Sequence, residues 1–239
     1  MFDFGNANDG QRKAIAAADG PVLITAGPGT GKTYTLVQRA IYLIEECNVR
    51  PESIFIATFT EKAAKELVTR ITNELANRNI TANINEMYIG TFHSLCLRML
   101  KEHLEYTRLR RNYRLMDSFD QQYMVFQNIH RFRSIPEIEI VLPNGGAWKQ
   151  AETICNFVNN LSEELVSPEE LMSDHDPSIA SLGRMLQEYR TILTEANLMD
   201  FSSIQIEAYR LLCDNEGILN ELRSAITHIM VDEYPDTNY

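Results

Sequence analysis

Apolar residues recur along this chain at two distinct periods. Val37, Ala40, Ile41 and Ile44 follow the three- and four-residue spacing of one helix face, which predicts a helix over Lys32–Glu46. The segment EKAAKELVTRITNEL repeats that pattern with Ala64, Leu67, Ile71 and Leu75. A third helix is expected from His93 towards His103. Between these lie short apolar runs without helical spacing: Val22–Thr25, SIFIAT (53–58) and MYIGTF (87–92). Each reads as a buried strand. Strand and helix alternating over short connections predict an α/β fold, a parallel sheet flanked by helices.

The alternation stops near Tyr106. From there to Asn197 the pattern is mostly helical, broken at Pro136, at LPNGG (142–146) and at SDHDPS (173–178). Ser167-Pro168-Glu169-Glu170 is a good helix start: a cap, a proline at the first position, then acids against the dipole. Two further helical stretches lead to THIMVDEY (227–234), another apolar strand with acids at its carboxyl end. The expected organisation is an α/β part over 1–105, a helical insertion over 106–197, and a return to the α/β part over 198–239.

Composition changes this picture little. With 239 residues, 44% hydrophobic and 23% charged, the chain can bury a real core as an ordinary globular protein. The four cysteines are scattered without a C-x-x-C pair, which suits a reducing compartment. No apolar run approaches the roughly 20 residues of a membrane span, so a cytoplasmic protein with no membrane partner is expected. The net charge of −11 argues against nucleic acid as a partner, but local patches decide such matters. Arg98–Arg114 is distinctly basic, and Arg131 and Arg133 follow it. Such a run serves equally as a solvated face.

Candidate chemistry begins at AGPGTGKT (26–33), set between the first apolar run and the first helix. It fits the phosphate-binding P-loop pattern, with Ala26 in place of the first glycine. Polyphosphate needs converging backbone N–H groups, and Gly27, Gly29 and Gly31 clear side chains from that approach. Pro28 and Thr30 complete the turn. The helix N-terminus adds partial positive charge. Lys32 can reach the β- and γ-phosphates, and the Thr33 hydroxyl can ligate Mg²⁺, with Tyr34 following in the first helical turn. The ligand is a nucleoside triphosphate. At the other end of the chain, Asp232 closes a buried strand where it can hold Mg²⁺, and Glu233 beside it can polarise a water.

With both motifs placed, the sequence resembles the N-terminal part of superfamily 1 DNA helicases of the UvrD/Rep type, collinearly over nearly its whole length. NDGQRKAI resembles the family's Q motif, which implies that Gln11 reads the adenine edge and selects ATP. ATFTEKAAKELVTRI is similar to motif Ia and IGTFHSLCLRML to motif Ib. ANLMDFSSI is similar to the segment returning from the insertion, and VDEYPDTN to the family's DE box. The resemblance implies a RecA-like motor domain (1A) interrupted by a helical subdomain (1B). It also implies 3′-to-5′ movement on single-stranded DNA, unwinding at duplex–single-strand junctions, and work in repair or replication.

Motifs Ia and Ib suit single-stranded nucleic acid in their own right. Thr58, Phe59, Thr60 and Lys62 stand where a strand becomes a helix, and Thr91, Phe92, His93 and Ser94 stand likewise on the next strand. Hydroxyls and helix N-termini suit phosphate, and aromatic rings suit bases. Either phenylalanine could equally pack in a core, and His93 could be structural. Ligands gather at the carboxyl ends of strands in open α/β sheets, so these loops are expected on one rim beside the nucleotide.

Two departures from the family stand out. Pro235 occupies the glutamine position of the DE box and offers no side-chain donor. The motifs of the second motor domain, including arginines that clamp the γ-phosphate, are not in this sequence. Two rival readings follow: a nucleotide- or DNA-binding module that does not unwind, and the helicase part of a helicase–nuclease.

Overall fold

The computed structural model describes residues 2–17, 19–142 and 144–233; Pro235 and the rest of the DE box after Glu233 lie outside them. In chain order the helices and strands are α1 (Asp9–Ala16), α2 (Lys32–Glu45), β1 (Ile54–Thr58), α3 (Glu61–Asn77), β2 (Tyr88–Thr91) and α4 (Phe92–Glu102). There follow β3 (Arg114–Leu115), α5 (Ser118–Gln127), α6 (Ile129–Arg133), α7 (Ala147–Glu163), α8 (Pro168–Met172) and α9 (Pro177–Glu195). The chain then runs through β4 (Leu198–Met199), α10 (Phe201–Asp214), α11 (Glu216–Ala225) and β5 (His228–Val231). They form two compact units, one from residues up to Leu95 and from Glu216 onward, the other from Cys96–Asn215.

In the first unit β1 lies between β2 and β5, all parallel. The register sets Thr58 opposite Thr91 and Ala57 opposite Val231, so the three carboxyl ends coincide. Helices cover this sheet by burying the expected stripes. All four marked positions of α3 are buried, and α2 buries Val37, Ala40 and Ile41. Ile44 is only half-buried, and Leu43 takes its place in the core. Local caps fix where the helices begin. Thr60 accepts from the Ala63 N–H at α3, and Asn8 with Gln11 forms a reciprocal capping box at α1.

One expected strand does not form. Val22–Thr25 joins no ladder, and Leu23 is 79% exposed. An apolar run declares a tendency to be buried, but a strand also needs a neighbour to take its N–H and C=O groups. Among the described residues no strand pairs with this run, and its residues are exposed.

The second unit packs α5, α6, α7 and α9 around Phe132, Ile154, Met185 and Leu186, all fully buried. A buried polar network crosses that core. Gln121 Nε2 donates to Asn159 Oδ1 and to the Tyr189 hydroxyl, each at 2.8 Å, and Tyr189 donates to the Asp200 carboxylate. Asp200 also caps α10. These bonds, with the Arg108–Glu207 ion pair at 2.8 Å, tie α10 into the helical unit. The helical unit therefore begins at Cys96 and runs to Asn215, wider than the 106–197 span expected from periodicity.

Candidate nucleotide and nucleic-acid site

The glycine turn has the conformation its sequence requires. Gly29 and Gly31 have φ of 74° and 86°, left-handed values open to glycine at little strain. Thr30 closes the turn by donating its hydroxyl to the Gly27 carbonyl at 2.7 Å. Gly31 is the N-cap of α2, so Lys32 and Thr33 open the helix. Residues 27–30 are exposed, and Lys32 has no ion-pair or hydrogen-bond partner among the described residues. Bare backbone at a helix N-terminus beside one free ammonium group fits a polyphosphate.

The Q-motif glutamine meets this turn directly. Gln11 Nε2 donates to the Thr30 carbonyl at 3.1 Å, while its Oε1 accepts the Asn8 N–H at 2.9 Å. A primary amide has two N–H donors and two acceptor lone pairs, so one of each remains available. Tyr34 points elsewhere: its hydroxyl donates to the Phe4 carbonyl at 3.0 Å. That bond fastens the N-terminal segment to α2.

The second grouping lies at the carboxyl ends of the sheet. Asp232 follows β5 and extends the ladder, its N–H donating to the Ala57 carbonyl at 2.8 Å. Glu233 is exposed and adopts φ 59°. A non-glycine residue pays about 1–2 kcal/mol for that region, and such strain clusters at functional sites. Among the described residues no hydrogen bond or ion pair joins Lys32 or Thr33 to Asp232 or Glu233.

The motif Ia and Ib residues divide by direction. Phe59 is 59% exposed, which removes core packing as its role, and Lys62 is exposed beside it. Thr60 spends its hydroxyl oxygen on the cap of α3. Thr58 is fully buried and its hydroxyl has no protein partner, so it presents nothing to an incoming strand. Thr91 is also buried. Its hydroxyl donates to Glu61 Oε1 at 3.1 Å and accepts the Ser94 N–H, holding β2, α3 and α4 in place. Phe92, His93 and Ser94 are half-buried, and burial lowers the His93 pKa. The basic run is partly neutralised. Arg98 pairs with Glu102, Arg108 with Glu207, Arg114 with Asp120 and Arg131 with Glu188 and Glu195, leaving Lys101, Arg110, Arg111 and Arg133 without ion pairs among the described residues.

Comparison with known proteins gives the family. Residues 7–239 match the family described as the UvrD/REP helicase N-terminal domain. The chain belongs to that family. Similar proteins include DNA helicase II of Haemophilus influenzae, 34% identical over 233 residues, covering 97% of this chain and 30% of that protein. DNA helicase II of Escherichia coli is 31% identical over 231 residues, with the same coverage. The ATP-dependent DNA helicase Rep of Buchnera aphidicola from Acyrthosiphon pisum is 31% identical over 234 residues, covering 97% of this chain and 34% of that protein. This UvrD/REP domain thus spans about a third of the length of the curated relatives it matches. No helix among its described residues is long and apolar enough to cross a membrane.

Sequence reasoning missed two residues that hold the Gln11 segment in place, Asn8 through its cap and Arg78 through the Asp3 carbonyl. Asn8 was legible, because Asn8-x-x-Gln11 is a capping-box spacing. Arg78 was not, since it gathers partners from several separate segments.

Proposed function

We propose that this chain is the ATP-binding N-terminal part of an ATP-dependent DNA helicase. That parent couples ATP hydrolysis to 3′-to-5′ translocation on single-stranded DNA and to duplex unwinding, in repair or replication in the cytoplasm. One observation carries the reading: two left-handed glycines shape the turn that leads into α2, beside an unpaired Lys32, with Gln11 bonded to the same turn. ATP is the substrate, its phosphates on Gly27–Thr33 and its adenine edge on Gln11. Mg²⁺ would be held by Thr33 and Asp232 and would neutralise phosphate charge. Glu233 orients the attacking water. Phe59, Lys62, Phe92 and His93 supply the DNA contacts, with Thr60, Thr58 and Thr91 shaping the loops beneath.

The relatives' names support the helicase class, and the polarity rests on the family resemblance. A second motor domain in the parent supplies the remaining positive charge at the γ-phosphate. Taken alone, the 239-residue chain acts as a nucleotide- and DNA-binding module. Titration calorimetry with Mg·ATP tests the core of this. Lys32→Ala removes a charge-assisted contact to phosphate, and affinity should fall roughly 10- to 100-fold. Equal affinity in both proteins would refute the phosphate cradle.

A further inference from the structure

The segment that carries Gln11 has little of its own to hold it. Residues 2–8 form no helix or strand, and α1 is eight residues long, too short to be stable by itself. Its position is therefore set by tertiary anchors. At its beginning Phe2 packs in the core against Tyr42, and the Tyr34 hydroxyl holds the Phe4 carbonyl. Most of the polar contacts there come from one residue, Arg78, the C-cap of α3, whose side chain is 15% exposed. Nη2 of Arg78 donates to the Asp3 carbonyl at 2.6 Å and to Gln38 Oε1 at 3.1 Å. Nη1 donates to Glu45 and Nε to Glu74, both at 2.9 Å, and the guanidinium carbon lies 4.3 Å from the centre of the Phe2 ring.

From Asp3 the connection to the glycine turn is continuous. The Asp3 carboxylate accepts the Gly5 N–H at 2.9 Å, and the Phe4 carbonyl accepts both the Tyr34 hydroxyl and the Ala7 N–H. Arg12 Nε donates to the Ala7 carbonyl at 2.8 Å, next to the Asn8 cap that fixes Gln11 against Thr30. At the far end of α1, Arg39 donates to the Ala14 carbonyl at 2.8 Å. The strap is pinned at both ends, with the adenine reader between the pins.

We propose that Arg78 is a positioning residue for nucleotide choice: by holding Phe2 and Asp3 against α2 and α3, it keeps Gln11 where adenine is read. This rests on the reading of Gln11 given above. A planar fork with five donors makes these contacts at once, which a lysine ammonium cannot do.

The test measures affinities of the 239-residue chain for Mg·ATP, Mg·GTP and Mg·tripolyphosphate, in the parent sequence, Gln11→Ala, Arg78→Ala, Arg78→Lys and the Gln11→Ala/Arg78→Ala pair. The ATP-to-GTP ratio in Arg78→Ala should fall to within about twofold of that in Gln11→Ala, and the pair should fall no further. Arg78→Lys should restore little of it. Tripolyphosphate binding, which needs only the glycine turn and Lys32, should hold throughout. A parent-like ratio in Arg78→Ala, or an equal loss of tripolyphosphate binding, overturns the proposal. Should Arg78→Ala not fold, Phe2→Leu with Tyr34→Phe loosens the same strap without stranding a charge; an unchanged ratio there overturns it as well. A parent chain that binds ATP and GTP alike removes Gln11 as the reader, and this inference with it. Failure confined to the Arg78 variants leaves the Gln11 reading intact.

Discussion

Gln11 and Gly31 are fitted to one another: a methyl group on Gly31 would lie 2.9 Å from Gln11 Nε2. The Gln11 side chain and the glycine turn are therefore in direct contact. Glycine at 31 serves two ends, the left-handed backbone and the space that the glutamine amide fills.

The remaining donor and acceptor of the Gln11 amide match the acceptor and donor on adenine's edge, as Gln does when it reads adenine in DNA. ATP should bind more tightly than GTP, and Gln11→Ala should abolish the difference. Pairing of this kind discriminates by about 1–3 kcal/mol, or roughly 5- to 150-fold. Competition binding with the two nucleotides measures it. A chain indifferent to the base before mutation would take Gln11 off the site.

Phe59 and Thr58 are neighbours with opposite expectations. The exposed ring offers a stacking surface, so Phe59→Ala should weaken binding to a single-stranded oligonucleotide by about 1–3 kcal/mol. Thr58→Val deletes a buried hydroxyl that lacks a protein partner, and should raise the thermal midpoint while leaving DNA affinity unchanged. Fluorescence anisotropy and thermal denaturation read the two effects. A large DNA defect in Thr58→Val would return that residue to the interface.

Acid should loosen the α/β unit through two histidines. Burial lowers the pKa of His93; for His228 burial acts first and the nearby Arg39 charge second, opposed by Asp19. Both prefer to be neutral when folded, so the unfolded chain binds more protons. Stability is then fully present above the ordinary histidine pKa near 6.5 and is lost as pH falls below it. Thermal midpoints between pH 7.5 and 5 should drop more steeply in the parent chain than in His93→Gln/His228→Gln. Parallel curves would contradict the assignment.

Turnover separates binding from catalysis. Lys32 is the only cation in the glycine turn, and charge on the transferred phosphoryl group spreads over its oxygens in the transition state. An additional arginine there is typically worth about 10³–10⁵ in rate. The 239-residue chain should bind ATP yet hydrolyse it at a trace rate, little stimulated by single-stranded DNA, with Glu233→Gln as the blank. Robust DNA-stimulated turnover by the purified monomer would mean that no second motor domain is needed.

The most legible parts of the fold were those where local pattern and tertiary need coincide. All four expected α3 positions are buried, because a single stripe faced a single sheet. The glycine turn was legible because its left-handed positions, Gly29 and Gly31, carry the one residue that adopts them at little strain. Thr58 and Thr91 were harder to read. Their type suggested contact with solvent or phosphate, but a strand covered on both faces buries even its terminal hydroxyls. Val22–Thr25 shows the opposite failure, since its composition could not report whether a pairing partner was present. Arg78 had no local signature at all. Its meaning lies in partners from residues 2–3, 38, 45 and 74, which only the folded chain assembles.

The sheet of the first unit ends at β5, which pairs only with β1 among the described residues, and Ile229 on that strand is 68% exposed. An open strand edge of this kind is a template for cross-molecule pairing, and the apolar, exposed Val22–Thr25 run is a ready complement for it. The two features together predict that the isolated chain self-associates. The associated fraction should rise with protein concentration, and association should proceed edge to edge, through backbone hydrogen bonds, without unfolding of the helical unit.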